Sequence, residues 1–90
     1  MNKSEFIDAV SANIDMPKAS VSKALEGIVD VVAGALKGGD QVTIVGFGTF
    51  LVRRREAREG RNPRTGETMQ IAASNVPAFK AGKALKDAVN

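Results

Sequence analysis

The apolar pattern changes period after Asp40 and all but disappears after Val52. Phe6, Ile7, Val10 and Ile14 recur at helical spacing, which predicts a short amphipathic helix over residues 3–14. Asn2, three residues before Glu5, has capping-box spacing, with Asn in place of the usual Ser or Thr. Pro17 disfavours helical geometry at Met16 and can itself open a second helix. Val21, Leu25, Ile28, Val32 and Ala35 then step by 4, 3, 4 and 3, a heptad seam widened by Val29, Val31 and Leu36. At about 1.5 Å per residue, a helix over residues 18–37 spans about 30 Å. It should end at Gly38-Gly39, with Lys37 placed to suit the helix dipole. Gly27 and Gly34 lie one heptad apart on one face. Close helix packing and plain tolerance of two exposed glycines both fit that spacing.

Beyond Asp40 the period drops to two. Gln41-Val42-Thr43-Ile44-Val45 alternates and is rich in β-branched residues, Gly46-Phe47-Gly48 interrupts it, and Thr49-Phe50-Leu51-Val52 resumes, so a hairpin is expected. From Arg53 to Asn75 only Met69 and Ile71 are large apolar side chains, too few for a core. The midpoint, Asn62-Pro63-Arg64-Thr65-Gly66, is a turn signal, because Pro fixes φ and Gly accepts positive φ. Two strands leaving the body and returning, a projecting β-arm over residues 53–75, account for the symmetric flanks. Val76-Pro77-Ala78-Phe79 re-enters the body on a strand that Pro77 restricts to a sheet edge. A short helix over residues 83–89, with Leu85 and Val89 on one face, ends the sequence.

Charge sharpens this picture. All six Arg lie between Arg53 and Arg64, and all seven Lys lie outside residues 53–75. That segment carries Glu56, Glu59 and Glu67 besides the six Arg, a net +3, which is the net charge of the whole chain. A basic excess confined to one quarter of the sequence is the footprint of a polyanion partner, the plainer alternative being a solvated charged loop. Arg presents a planar, always-charged fork of donors suited to phosphate and to a narrow minor groove. Strand alternation places Arg53 and Arg55 on one face and Arg54 on the other. The arm has no aromatic residue for base stacking and few Asn or Gln to read major-groove edges. Duplex binding with little sequence preference is the expected mode.

Composition narrows the alternatives. Ninety residues make one small domain, and Ala supplies 13 of its hydrophobic residues, so shared burial in an oligomer is expected. The chain has no Cys and no His, which removes disulfides, thiolate chemistry, the commonest metal ligand and the commonest general base. Gly46-Phe47-Gly48 lacks the Lys-Ser/Thr of a phosphate loop and lies between strands. Neither an enzyme nor a metal or cofactor is expected. No apolar run reaches the roughly 20 residues of a membrane-spanning helix, and the N-terminus carries no secretory block, so a soluble cytoplasmic protein is expected.

Gly46-Phe47-Gly48-Thr49-Phe50, followed by Arg55, Arg58, Gly60 and Arg61-Asn62-Pro63-Arg64-Thr65-Gly66, resembles the signature of the bacterial histone-like HU proteins. The resemblance extends to the opening Asn2-Lys3-Ser4-Glu5 and to the stretch from Ile71-Ala72-Ala73 through Gly82-Lys83-Ala84-Leu85-Lys86-Asp87-Ala88-Val89. It implies an intertwined dimer with a helical base and two β-arms that clasp DNA in the minor groove. It further implies that Pro63 at each arm tip wedges between base pairs and kinks the duplex. The Arg-dense run Arg53-Arg54-Arg55 and the acids Glu56, Glu59 and Glu67 depart from that pattern, which bears on affinity rather than on the mode of binding. The related integration host factor reads sequence as a heterodimer. The closing GKALKDAVN resembles the non-specific branch instead.

The expected fold is therefore α+β. Each subunit of an intertwined dimer should have a helical base (1–40), a short sheet (41–52 and 76–80), a DNA-binding β-arm (53–75) and a C-terminal helix (81–90). Val21, Leu25, Ile28, Val32, Leu36, Phe47, Phe50 and Phe79 are the expected dimer core. The expected DNA contacts are Arg53, Arg55, Arg58, Arg61, Asn62, Pro63 and Arg64. Lys80, Lys83 and Lys86, read as one face of the last helix, are added as phosphate contacts, with solvated helix charges as the alternative. Lys3 and Lys18 are further candidates for contacts to the bent DNA flanks. Double-stranded DNA and a second copy or a paralogue are the expected partners, with the nucleoid as location. A dimeric module whose arms grip structured RNA or a protein is the competing reading.

Overall fold

In the computed structural model, which describes residues 1–90, α1 (Lys3–Ile14) starts where its cap requires. The Asn2 side-chain oxygen accepts the Glu5 N–H at 2.9 Å, satisfying a donor that has no partner inside the helix. The helix stops at Asp15, which adopts a left-handed conformation (φ 52°). The Met16 N–H returns to the Ser11 carbonyl at 3.2 Å, and the Ser11 hydroxyl donates to the Met16 carbonyl. α2 (Lys18–Lys37) begins one residue after Pro17, whose carbonyl accepts the Val21 N–H at 3.1 Å. Pro17 is thus the residue before the helix rather than its first turn.

The chain divides into two compact units, Met1–Gly34 and Ala35–Asn90. In the first, Lys18 pairs with Asp8 at 3.2 Å, tying α2 to α1. Val21, 5% exposed, is the only buried large hydrophobic side chain of the whole protein. Of the other seam positions in this unit, Leu25 and Val32 are half-buried, whereas Ile28, expected in the dimer core, is 57% exposed in the single chain. Val29 and Val31 are exposed with it. A hollow of about 630 Å³ is lined by Phe6, Leu25 and Val29 together with Lys3, Glu26 and Asp30. A Cβ built on Gly27 or Gly34 would meet nothing within 4 Å, so no close packing occupies that face within one chain.

The second unit opens with the end of α2. The Asp40 N–H donates to Ala35 O (2.9 Å), the Gly39 N–H to Leu36 O (3.1 Å), and Gly39 has φ 83°. These are the paired bonds of a Schellman cap. β1 (Val42–Ile44) turns through Gly46 (φ 86°), with the Phe47 N–H on Ile44 O at 2.9 Å. It pairs antiparallel with β2 (Gly48–Arg55), which pairs in turn with β5 (Ser74–Ala81), giving the order β1-β2-β5. β5 is an edge strand, the position that its Pro77 demands. β3 (Arg58–Arg61) and β4 (Thr68–Ile71) form a separate two-stranded sheet. α3 (Lys83–Ala88) follows Gly82, whose N–H donates to Phe47 O at 2.8 Å. No helix is long and apolar enough to cross a membrane.

The three-stranded sheet reaches further than its apolar residues do. β2 continues through Arg53, Arg54 and Arg55, and β5 begins at Ser74 and ends at Ala81. The ladder thus passes without a break from the segment expected as sheet into the segment expected as arm, and the last helix, expected over residues 83–89, spans Lys83–Ala88. The ladder is made by backbone hydrogen bonds, which propagate whether or not the side chains are apolar.

Phe47, Phe50 and Phe79 meet in this unit. Phe50 and Phe79 face each other on one rung with ring centroids 4.9 Å apart, and Phe47 sits 5.2 Å from Phe79, all three tilted. Offset, tilted rings bring positive edges toward negative faces. Gly48 is fixed by this cluster, because a Cβ there would stand 2.5 Å from both Lys80 O and the Phe79 ring. Phe47 and Phe79 remain 42% and 40% exposed.

Candidate nucleic-acid interface

The arm is one ribbon with one register. Rungs run from Gly48↔Ala81 to Arg55↔Ser74 and resume from Arg58↔Ile71 to Arg61↔Thr68. Two residues on each strand, Glu56-Ala57 and Ala72-Ala73, lie in the gap, so no strand gains or loses a residue and the pairing offset is preserved. Beyond the last rung, the Asn62 N–H donates to Glu67 O at 2.8 Å, continuing that offset to the turn.

The tip is built by its own side chains. Asn62 Oδ1 accepts the Arg64 N–H at 2.9 Å, an Asx turn around Pro63. The Gly66 N–H donates to Asn62 O at 2.7 Å, and Gly66 has φ 74°. Thr65 Oγ1 accepts the Glu67 N–H at 3.3 Å. Pro63 is exposed at this apex, and no peptide bond in the chain is cis.

Register sorts the charges by face. In the β2–β5 ladder Arg53 and Arg55 alternate with Arg54, as the sequence pattern implies, and Lys80, opposite Thr49, holds a position on the Arg53/Arg55 face. Lys80 is therefore not on the last helix. It lies on β5, because the strand continues to Ala81 before Gly82 breaks it, and only Lys83 and Lys86 share α3. In the β3–β4 ladder, Glu59, Gln70, Arg61 and Thr68 share one face, where Gln70 Nε2 donates to Glu59 Oε1 at 3.5 Å. The other face carries Arg58, Ile71, Gly60 and Met69. Gly60 keeps that face flat, since a Cβ there would stand 2.7 Å from Ile71 Cδ1.

All six Arg and all seven Lys are exposed. Arg54 is engaged: its Nε lies 3.3 Å from Glu56 Oε1, with both side chains largely solvated. Such exposed pairs contribute little to stability. Neither this pair nor the Glu59–Gln70 contact was anticipated from sequence. The first could have been found from i, i+2 spacing on a strand. The second needed the register. No cluster of three or more His, Cys, Asp or Glu is arranged to hold a metal.

The model of the family described as bacterial DNA-binding protein matches residues 1–90. DNA-binding protein HU-beta of Pseudomonas aeruginosa is 61% identical over the full length of both chains. The chain belongs to the HU family of bacterial DNA-binding proteins. HU-beta of Escherichia coli is 57% identical, again over the whole of both chains. Among solved structures, Anabaena HU cocrystallised with DNA superposes with a TM-score of 0.91 at 46% identity, covering 99% of this chain and 97% of that one. HU from Thermotoga maritima gives 0.73 at 36% identity over the whole of both chains. The α+β architecture of this HU-family chain is thus the one seen in those relatives, helices followed by an antiparallel sheet that runs out into a hairpin.

Proposed function

We propose that this chain is a histone-like architectural protein that binds duplex DNA in the minor groove, bends and compacts it, and has little sequence preference. The observation that carries this reading is the ribbon of constant register from Gly48 to the Asn62–Gly66 turn, whose outer part, residues 53–75, carries six solvated Arg and no aromatic residue. A slim two-stranded ribbon can follow a groove. Arg53, Arg55, Arg58, Arg61 and Arg64, with Lys80, Lys83 and Lys86, supply the phosphate and groove contacts, and Asn62 shapes the tip. Pro63, exposed at the apex of the Asx turn, is the wedge that enters a base step. The role is one of binding, with no reaction assigned to it. The bacterial nucleoid, within the cytoplasm, is where such a protein acts.

The working form is a dimer of two copies of this chain, with a paralogue able to replace one of them. One chain leaves 7,329 Å² accessible, against about 5,000 Å² expected for a closed monomer of this mass. The exposed apolar set includes Phe6, Ile28, Val29 and Val31 in the first unit and Ile44, Val45, Phe47 and Phe79 in the second. A second copy that covers these residues accounts for the core assignment of Ile28, Phe47 and Phe79, which one chain alone leaves open. Leu36, Phe50, Leu25 and Val32, half-buried in one chain, then complete that core with Val21.

The decisive experiment is binding to linear, nicked and four-way-junction duplexes, and to structured RNA, at several salt concentrations. Tighter binding to nicked and junction DNA, with affinity falling steeply as salt rises, is the expected result. Stronger binding to RNA than to every duplex would overturn it. Sedimentation equilibrium at micromolar concentration should give twice the 9.5 kDa chain mass, and a folded monomer there would refute the dimer.

A further inference from the structure

We infer that Glu56 is an internal competitor for the DNA backbone: it engages the Arg54 guanidinium through Nε and offsets the charge that Arg54 would otherwise present to phosphate. The inference rests on the DNA-binding reading above and deepens it by assigning opposite roles to neighbouring residues of the arm.

Arg54 is the one Arg of the arm with an ion-pair partner, Glu56 Oε1 at 3.3 Å from its Nε. The two stand at i, i+2, Arg54 on β2 and Glu56 as the first residue beyond its end. Register sets Arg54 on the face opposite Arg53 and Arg55. Across the ribbon, the position facing Glu56 is in the gap beside Ala73, which offers its carboxylate no donor side chain. Glu59 differs, since its carboxylate accepts from the Gln70 amide on the other face. Of the arm's three carboxylates, Glu56 alone holds an Arg. Its position matters as well: it follows the last rung of the three-stranded sheet, where the ribbon passes from body to tip. With 59% and 81% of the two side chains exposed, the pair adds little to the fold and water screens it. A phosphate can therefore exchange with the carboxylate as the partner of Arg54. The arm's effective charge is set by that exchange, and Glu56 moderates both affinity and salt dependence.

The test is a double-mutant cycle on the full-length protein, Glu56→Gln, Arg54→Gln and the pair together, read by fluorescence anisotropy on one linear duplex across a salt series. Glu56→Gln should tighten binding about fivefold at 0.1 M salt and steepen the slope of log affinity against log salt by about one unit per arm, as one more phosphate is neutralised. Arg54→Gln alone should weaken binding less than fivefold, because Glu56 already offsets part of its charge. In the Arg54→Gln background, Glu56→Gln should lose most of its effect. If Glu56→Gln gains as much without Arg54 as with it, Glu56 acts as bulk charge and the pairing role is wrong. It is equally wrong if Glu56→Gln changes neither affinity nor slope, or if Arg54→Gln alone weakens binding fivefold or more. Absence of any duplex binding by the parent protein would overturn the DNA-binding reading itself, and this inference with it. Thermal melts of all four proteins should coincide, as expected for an exposed pair.

Discussion

The root and the tip of the arm share one register but have little else in common. At the root, rungs Gly48↔Ala81 and Phe50↔Phe79 sit under three tilted aromatic rings, and Gly48 admits no Cβ without a clash against backbone. At the tip, rungs Arg58↔Ile71 to Arg61↔Thr68 pair only with each other, and the apolar surface is Ile71 over Gly60 beside a half-exposed Met69. The backbone ladder is the same; what differs is the side-chain packing available to hold it. An isolated two-stranded hairpin is marginal in water. The root should therefore set stability, whereas the tip should serve binding and add little to stability.

The largest expected effect breaks the root. Phe79→Ala removes a ring in contact with both Phe47 and Phe50 and should cost about 3 kcal/mol. The measurement is chemical denaturation with a sedimentation profile, which should show a shift toward monomer. If the midpoint does not move, the aromatic cluster is not what anchors the ribbon.

Pro63→Ala comes next and acts at the far end. No charge is lost, so the salt slope should hold, while about 2 kcal/mol of bending free energy disappears with the wedge. End-to-end energy transfer on intact and nicked duplexes measures the bend. Undiminished bending would reduce Pro63 to a turn residue.

Arg61→Ala should weaken every duplex about tenfold and flatten the salt slope by about one unit per arm. Its melting temperature should match the parent's, since Arg61 is exposed and has no ion-pair partner. A lowered melting temperature would show that the tip contributes to the fold and would erase the contrast with the root.

Smallest of all should be Gly60→Ala. The new methyl meets the end of the Ile71 side chain, which can rotate away, whereas Gly48→Ala meets the Lys80 carbonyl and a packed ring. The tip substitution should cost under about 0.5 kcal/mol and its root counterpart about 1–3 kcal/mol. Comparing the two melts against each other sharpens the distinction without involving DNA. Limited trypsin digestion adds a kinetic view: cuts should fall within residues 53–64 first, and duplex should slow them.

The elements were legible wherever local chemistry decides them. The Asn2 cap, the Gly39 cap of α2, the Asx-shaped turn at residues 62–66 and the edge position of Pro77 each depend on a residue and its near neighbours. The concentration of Arg in one polar, aromatic-free stretch is likewise a property of sequence. Tertiary structure decided the rest. Lys80 could be assigned to a helix by its spacing from Lys83 and Lys86, but backbone pairing with Thr49 carries the strand to Ala81 and moves that charge to the ribbon. The extension of the sheet to Arg55, the contact of Gln70 with Glu59 and the crowding at Gly48 all join residues far apart in the chain. Nothing in a strand's own side chains reveals its register or its neighbours, because backbone hydrogen bonds pair any two strands alike and only the packing of distant residues selects one arrangement.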